Sequence, residues 1–360
     1  MEATTAVSRW LATALAGLLA LLLAACQPAP PAPSGADGTA DGTADGAEDG
    51  VGTGGARGTS PGRCTGVGPA RVQGSPPSPD LPLRDYPTAS AVCEAWWIPA
   101  MAGTFVPQGL EVDGDLAYVS GYRVAALGRR ACQVVVLDLD TGRQVAFVRR
   151  FEAPIYGADP TYCRHGGGNE LTDEGLWIAG GQVLWLLDPA RVRDGRPPVL
   201  RAWRLEDGLM GSTLAIHDGA LVIGTYRAGG RGRWFGYDLD EVLARGVSAL
   251  GLDATTGGQV TPGRRGRVAT RLQGLSLTPR GRWEVGSRIS CGLLHPPGPA
   301  GPVDFVPGAE DLEVVGPDVW TVSEASAAPY AHLGDDARVP GLLRLDRRAL
   351  LAGTATCDLG

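Results

Sequence analysis

The 360-residue sequence predicts an all-β body in which short helical turns link small sheets, and three observations carry that prediction. Its 54 glycines and 28 prolines, with only 20% charged residues, imply many turns and few long helices. From about residue 86 a phrase of one polar residue, one variable residue and a leucine recurs five times. The copies are Gln108-Gly109-Leu110, Asn169-Glu170-Leu171, Ser212-Thr213-Leu214, Gln273-Gly274-Leu275 and Glu310-Asp311-Leu312. A large β-former follows each copy across a turn: Tyr118, Trp177, Val222, Trp283 and Trp320. Turns such as Asp113-Gly114-Asp115 and His217-Asp218-Gly219 make each copy read as a hairpin. A second phrase then recurs, as in Val134-Val135-Val136-Leu137-Asp138, Val183 to Asp188, Trp234 to Asp238 and Gly341 to Asp346. Its copy at Cys291-Gly292-Leu293-Leu294-His295 is degenerate.

Successive copies start 61, 43, 61 and 37 residues apart, the length of one small sheet of three or four strands. Such units repeated without linkers predict a β-propeller of five blades, or six if Ala91–Met101 and the chain after Asp346 build a composite blade. An array of sandwich domains is disfavoured, because no break separates the units. Closure through a strand around Cys93–Ile98 pairing with the C-terminal strands would remove the open sheet edges. Three copies of the second phrase run into helical turns, Asp188–Gly195, Asp238–Gly246 and Asp346–Gly353. Each has an Asp to cap the start and a glycine at the end.

Ahead of the body, Leu11–Ala25 is an apolar run too short to span a bilayer and of the length of a signal-peptide core. It ends in Leu23-Ala24-Ala25-Cys26, which resembles the lipobox of bacterial lipoproteins. That resemblance implies cleavage before Cys26, a lipidated (palmitate-bearing) cysteine and a body tethered outside the cytoplasm, on the cell membrane or an outer membrane. Residues 1–25 are thus read as signal peptide, 26–85 as lipidated cysteine plus spacer, and 86–360 as the propeller. The spacer is rich in Pro, Gly and Ala and repeats Ala36-Asp37-Gly38-Thr39 as Ala40-Asp41-Gly42-Thr43. Such composition predicts disorder and a reach on the order of 40 Å. Gly58-Thr59-Ser60-Pro61-Gly62 matches the nucleophile-elbow pattern but has no strand before it or helix after it.

Setting Cys26 aside, six of the seven cysteines remain, an even number in a compartment where disulfides persist. Cys132 with Cys163 is the expected local pair. Cys93 with Cys357 is expected from closure of the first strand on the last.

A net charge of −7 argues against nucleic acid as a partner. The complete absence of lysine excludes P-loop and Schiff-base chemistry. No HExxH, CxxC, dinucleotide fingerprint or Ser-His-Asp ordering is present. If the first strand of each copy is innermost, Gln108, Asn169, Ser212, Gln273 and Glu310 form a polar ring around the axis. Glu170, Asp311 and Glu313 lie beside it. His165-Gly166-Gly167-Gly168 precedes the second copy with a backbone able to approach a ligand closely. His165, Asn169, Glu170, Glu310 and Asp311 are the oxygen- and nitrogen-bearing set that could hold a hard divalent cation such as calcium. Glu324 is expected at the channel rim. Tyr122-Arg123 and Tyr226-Arg227, at matching places in two copies, suggest a stacking and anion-binding rim. His217, His295 and His332 read as surface histidines.

Across residues 90–360 the repeats resemble the six-bladed propeller superfamily that includes NHL modules, TolB-like proteins and the gluconolactonase and strictosidine-synthase relatives. The resemblance implies architecture more than activity. In the gluconolactonase relatives a channel calcium is held by Glu, Asn and Asp from different blades. Here that implies Asn169, Glu170, Glu310 and Asp311 as candidates. Two functions follow as expectations. One is a tethered propeller that binds a protein or small-molecule ligand without catalysis. The other is a metal-dependent hydrolase of lactones or esters with its site in the channel.

Overall fold

Each recurring phrase forms the innermost strand of a sheet. These strands are β1 (Phe105–Asp113), β2 (Gly167–Thr172), β3 (Thr213–His217), β4 (Leu272–Thr278) and β5 (Ala309–Val315). The computed structural model describes residues 64, 66–77, 82–124, 130–157, 161–253, 257–333 and 338–360. The signal segment, Cys26, the acidic repeats and Gly58–Gly62 lie outside the described residues.

Four sheets follow the chain consecutively. β1 pairs with Leu116–Val124, then Arg130–Asp138, then Arg143–Val148, all antiparallel. The sheets of β2, β3 and β4 repeat this meander, and that of β2 gains two short outer strands, Ala249–Leu250 and Gln259–Val260. The degenerate phrase Cys291–His295 is a full third strand in the sheet of β4. The sheet of β5 is composite. After Asp318–Ser323 and Leu342–Asp346 its next strand is Val92–Trp96, from the other end of the body. Each inner strand lies against the next, and β5 lies against β1, so the sheets close on one axis as an all-β propeller. The expected pairing of first and last strands therefore occurs, inside the fifth copy's own sheet instead of a separate composite unit.

Aromatic and branched residues fill the wedges between sheets. Trp96 stacks on Trp320 with ring centroids 5.6 Å apart, and Trp177 on Trp203 at 5.2 Å, all four buried. The three short helices are α1 (Pro189–Arg193), α2 (Leu239–Leu243) and α3 (Arg347–Leu351). Asp188, Asp238 and Asp346 accept backbone N–H bonds at their starts, as the sequence predicts. Among the described residues no helix is long and apolar enough to cross a membrane.

Two expectations are corrected. The disulfides are Cys64–Cys93, Cys132–Cys163 and Cys291–Cys357, so the pairing of Cys93 with Cys357 does not form. The reason lies in what covers each edge. Val72–Gln73 runs parallel outside Ala95–Trp96, which brings Cys64 to Cys93. After α3 the C-terminal tail crosses to the neighbouring sheet instead. There Asp304 accepts from the N–H groups of Thr356 and Cys357, and Arg271 and Arg288 donate to the Leu359 carbonyl. The second correction concerns the spacer, which was expected to run to residue 85. Its described part carries the strand Val72–Gln73 and the bond from Arg84 N–H to the Arg338 carbonyl, so the ordered body begins earlier.

Candidate functional site: the axial channel and its mouth

An innermost strand pairs on one edge only. Its other edge faces the axis, where buried N–H groups need acceptors that no neighbouring backbone supplies. In this chain side-chain oxygens supply them. One Asp311 carboxylate accepts from Leu110 N–H on β1 (2.9 Å), Asn169 N–H on β2 (3.2 Å) and Leu312 N–H on β5 (3.0 Å). One step deeper, Glu313 of β5 accepts from Val112 N–H of β1 (2.8 Å). Glu111 of β1 accepts from Leu171 N–H of β2 (3.0 Å), and Glu170 of β2 from Ile216 N–H of β3 (3.1 Å). Ser276 Oγ of β4 accepts from Val314 N–H of β5 at 3.2 Å. Three acids thus stitch β5 to β1, β1 to β2 and β2 to β3, and a serine stitches β4 to β5. Glycine lets the strands come this close: a Cβ on Gly109 would lie 2.5 Å from both Asn169 Oδ1 and Ser120 Oγ. The Gly166–Gly168 run serves the same purpose. A Cβ on Gly167 would meet the Ser212 carbonyl at 2.2 Å, so the close approach expected toward a ligand is made toward β3.

Bulges set the upper tier. In β1, β4 and β5 the ladder skips Gln108, Gln273 and Glu310, so each is the extra residue of a β-bulge whose side chain is re-aimed. The three meet at one end of the channel. Gln108 Nε2 donates to Glu324 (2.9 Å) and Gln273 Nε2 donates to Glu310 (2.9 Å), which sets the Glu310 and Glu324 carboxyls beside each other. Burial first, then the neighbouring Glu324, drives Glu310 well above the usual carboxylate range. Burial raises Glu324 to about 7, so the two acids share a proton at neutral pH. Deeper in the channel, burial raises Glu111, Asp311 and Glu313 well above that range and Glu170 to about 7.

Around this acid pair runs a rim drawn from the ends of the inner hairpins. The Tyr122 and Tyr330 hydroxyls bond each other at 2.7 Å, and the Arg130 guanidinium stands 4.3 Å from the Tyr122 ring centre. Tyr122 therefore stacks with Arg130, where the sequence suggested Arg123. His165 lies 5.7 Å from Tyr122, ring to ring. Burial, then Arg130, lowers its pKa to about 4, so the ring is neutral and its Nδ1 has no hydrogen-bond partner among the described residues. Tyr226 accepts from Arg271 at 3.0 Å, and its backbone N–H donates to Ser212 Oγ at 2.9 Å.

The predicted ring is thus brought together only in part. Gln108, Gln273 and Glu310 converge, while Asn169 sits one level down, its Oδ1 2.5 Å from Ser120 Oγ and its Nδ2 on the Tyr118 carbonyl (3.0 Å). Ser212 is spent on Tyr226. Glu170, Glu310 and Asp311 point to three different sets of donors. Among the described residues no group of three or more His, Cys, Asp or Glu side chains is arranged to hold a metal ion. The residues present therefore do not fit the channel calcium implied by the resemblance. Glu111 is the functional acid that sequence reading missed. Its signal was available in Leu110-Glu111-Val112, a carboxylate two residues after a glycine of the repeated phrase, matching Glu313 in the fifth copy.

No protein-family model matches the sequence, and a search of curated proteins returns no relative. Solved structures do align. The PQQ-bound aldose sugar dehydrogenase of Streptomyces coelicolor is 15% identical, covers 78% of this chain and 83% of its own, and has a TM-score of 0.33. The calcium-binding protein regucalcin of Agrobacterium tumefaciens C58 is 15% identical over 68% and 93%, with a TM-score of 0.37. BamB of Moraxella catarrhalis is 11% identical over 66% and 83%, with a TM-score of 0.31. All three are β-propeller proteins, and the fold assignment here stands on the sheet topology itself.

Proposed function

We propose that this chain is a lipid-anchored, extracytoplasmic propeller of five blades that binds a partner or small ligand at the mouth of its channel and catalyses nothing. The observation that carries the reading is the engagement of the channel acids. Asp311, Glu313, Glu111 and Glu170 each hold a backbone N–H of a neighbouring inner strand, which leaves the mouth, with Gln273, Tyr330 and Arg130, as the accessible polar surface. Counting the composite sheet as a blade gives five. The anchor is supported by Leu23-Ala24-Ala25-Cys26 after the apolar run. Two tests follow. Cys26→Ser is expected to move the protein from the membrane to the soluble fraction, and retention on the membrane would remove the anchor from the account. Assayed on a panel of lactones and aryl esters with and without calcium, the full chain is expected to show no turnover above background.

A hydrolase remains the second reading, because the paired Glu310 and Glu324 carboxyls, both raised above the usual carboxylate range, are the group types that general acid and base work requires. Turnover abolished by Glu324→Gln would favour it over the binding reading.

A further inference from the structure

The chain carries a net charge of −7, yet between Arg227 and Arg288 it holds eleven arginines against five acids. These belong to the sheets of β3 and β4, and the structure gathers several of them along the groove between those sheets, away from the channel. A cavity of about 680 Å³ opens there, lined by Arg231, Arg280, Arg282, Glu284, His295 and the loop from Pro296. Arg282 also lines a second hollow of about 480 Å³, whose wall includes Trp234, Val222 and Leu277, so the two share a border.

The charges in the groove do not cancel. Arg282 is neutralised by Glu284 at 2.6 Å, and Glu284 is further spent on the N–H of Ala269. Arg231 uses its Nε on the Val268 carbonyl (3.2 Å) and has no carboxylate partner among the described residues. Arg280, exposed in the turn between β4 and Gly281–Arg288, has no polar partner among them either. Burial lowers the pKa of His295, which leaves its ring neutral at pH 7, able to donate one hydrogen bond and accept another. Two unmatched guanidinium forks thus face a concave site, the arrangement that recognises carboxylate or phosphate groups in bidentate fashion. Beside them Trp234 lies flat. A Cβ on Gly266 would fall 2.4 Å from its indole nitrogen, so that position must be glycine for the ring to rest there, and one on Gly236 would fall 3.1 Å from its ring edge, a tight fit. The Arg282 guanidinium stands 5.0 Å from the ring centre. A partly buried indole, with the Arg282 guanidinium over it, thus borders the arginine-lined cavity and gives the anion anchor an aromatic wall.

We infer that the groove between the sheets of β3 and β4 binds an acidic saccharide, its carboxylates held by Arg231 and Arg280 and a sugar ring packed against the wall formed by Trp234 and Arg282. The site is separate from the channel mouth and stands whether or not the mouth binds anything. Calorimetric titration of the full chain with hexagalacturonate tests it, with uncharged cellohexaose and inorganic phosphate as controls. Saturable binding of hexagalacturonate is expected, weakened at least tenfold in Arg231→Gln/Arg280→Gln and in Trp234→Ala, and falling with added salt. Cellohexaose and phosphate are expected to bind at least tenfold more weakly. Arg280 sits in an exposed turn, so Arg280→Gln alone, with an unchanged melting temperature, is expected to show a measurable loss free of folding effects. The proposal is overturned by absence of hexagalacturonate binding at millimolar concentration, by equal binding of cellohexaose or phosphate, or by unchanged affinity in the double arginine variant.

Discussion

Asp311 is where the order of the channel converges, because a single carboxylate satisfies N–H groups on three inner strands. Removing it orphans three buried donors, each costing about 1–3 kcal/mol when left unmet. Asp311→Ala is therefore expected to lower the unfolding free energy by several kcal/mol, on the order of 3–5, in a denaturant titration, and Asp311→Asn by less, since its amide oxygen still accepts. Protonation matters at the same scale. Glu170 and Glu324 are raised to about 7 from an ordinary value near 4.5. The native state thus keeps protons that the unfolded chain has lost. Their contribution to stability is present in full below about pH 4.5 and is lost as pH rises to about 7, on the order of 3 kcal/mol for each group. His165 has the opposite sign, since its folded pKa is lowered to about 4 and it costs stability as pH falls from about 6.5. The unfolding free energy of the wild type is expected to drop between pH 5 and pH 8, and that of Glu170→Gln/Glu324→Gln to drop less. A wild-type profile flat over that interval would contradict the buried, protonated state of these acids.

At the scale of elements, what could be read from sequence was local. The hairpins were legible because a leucine, a turn and a large β-former recur at fixed spacing, and the helix caps because Asp188, Asp238 and Asp346 act within three residues of themselves. The disulfides of Cys93 and Cys357 were not, because each depends on where a long connection leads. Val72–Gln73 folds back onto the closing strand, and the tail after α3 leaves for the next sheet. That tail is a tether with a measurable worth. The Cys291–Cys357 bridge spans 66 residues, and closing a loop of that length restricts the unfolded chain by about 4 kcal/mol. Cys291→Ser/Cys357→Ser is expected to lower the melting temperature more than Cys132→Ser/Cys163→Ser, whose bridge spans 31 residues. Equal losses would mean that the tail is held by Asp304 and the Arg271 and Arg288 contacts alone.

For the molecule as a whole, radial closure explains both what the repeats announced and what they concealed. Five leucine-bearing strands meeting at one axis place polar residues from distant stretches together, which the sequence foretold. How near the axis they come is set by glycines such as Gly109 and by the bulges at Gln108, Gln273 and Glu310. Neither fixes the use of an acid until the neighbouring strand is in place. Carboxylates that looked like cation ligands in isolation become acceptors for exposed strand edges once the sheets are closed. The closing strand Val92–Trp96 carries much of this, through four ladder positions with Leu342–Asp346 and the stack of Trp96 on Trp320. The most direct measurement of the central claim, that the channel acids serve the fold and do not form a calcium centre, is the melting temperature of the full chain at pH 7.5 in calcium and in chelator. The account predicts the same midpoint in both. A rise of several degrees in calcium that disappears in Asp311→Asn would contradict it.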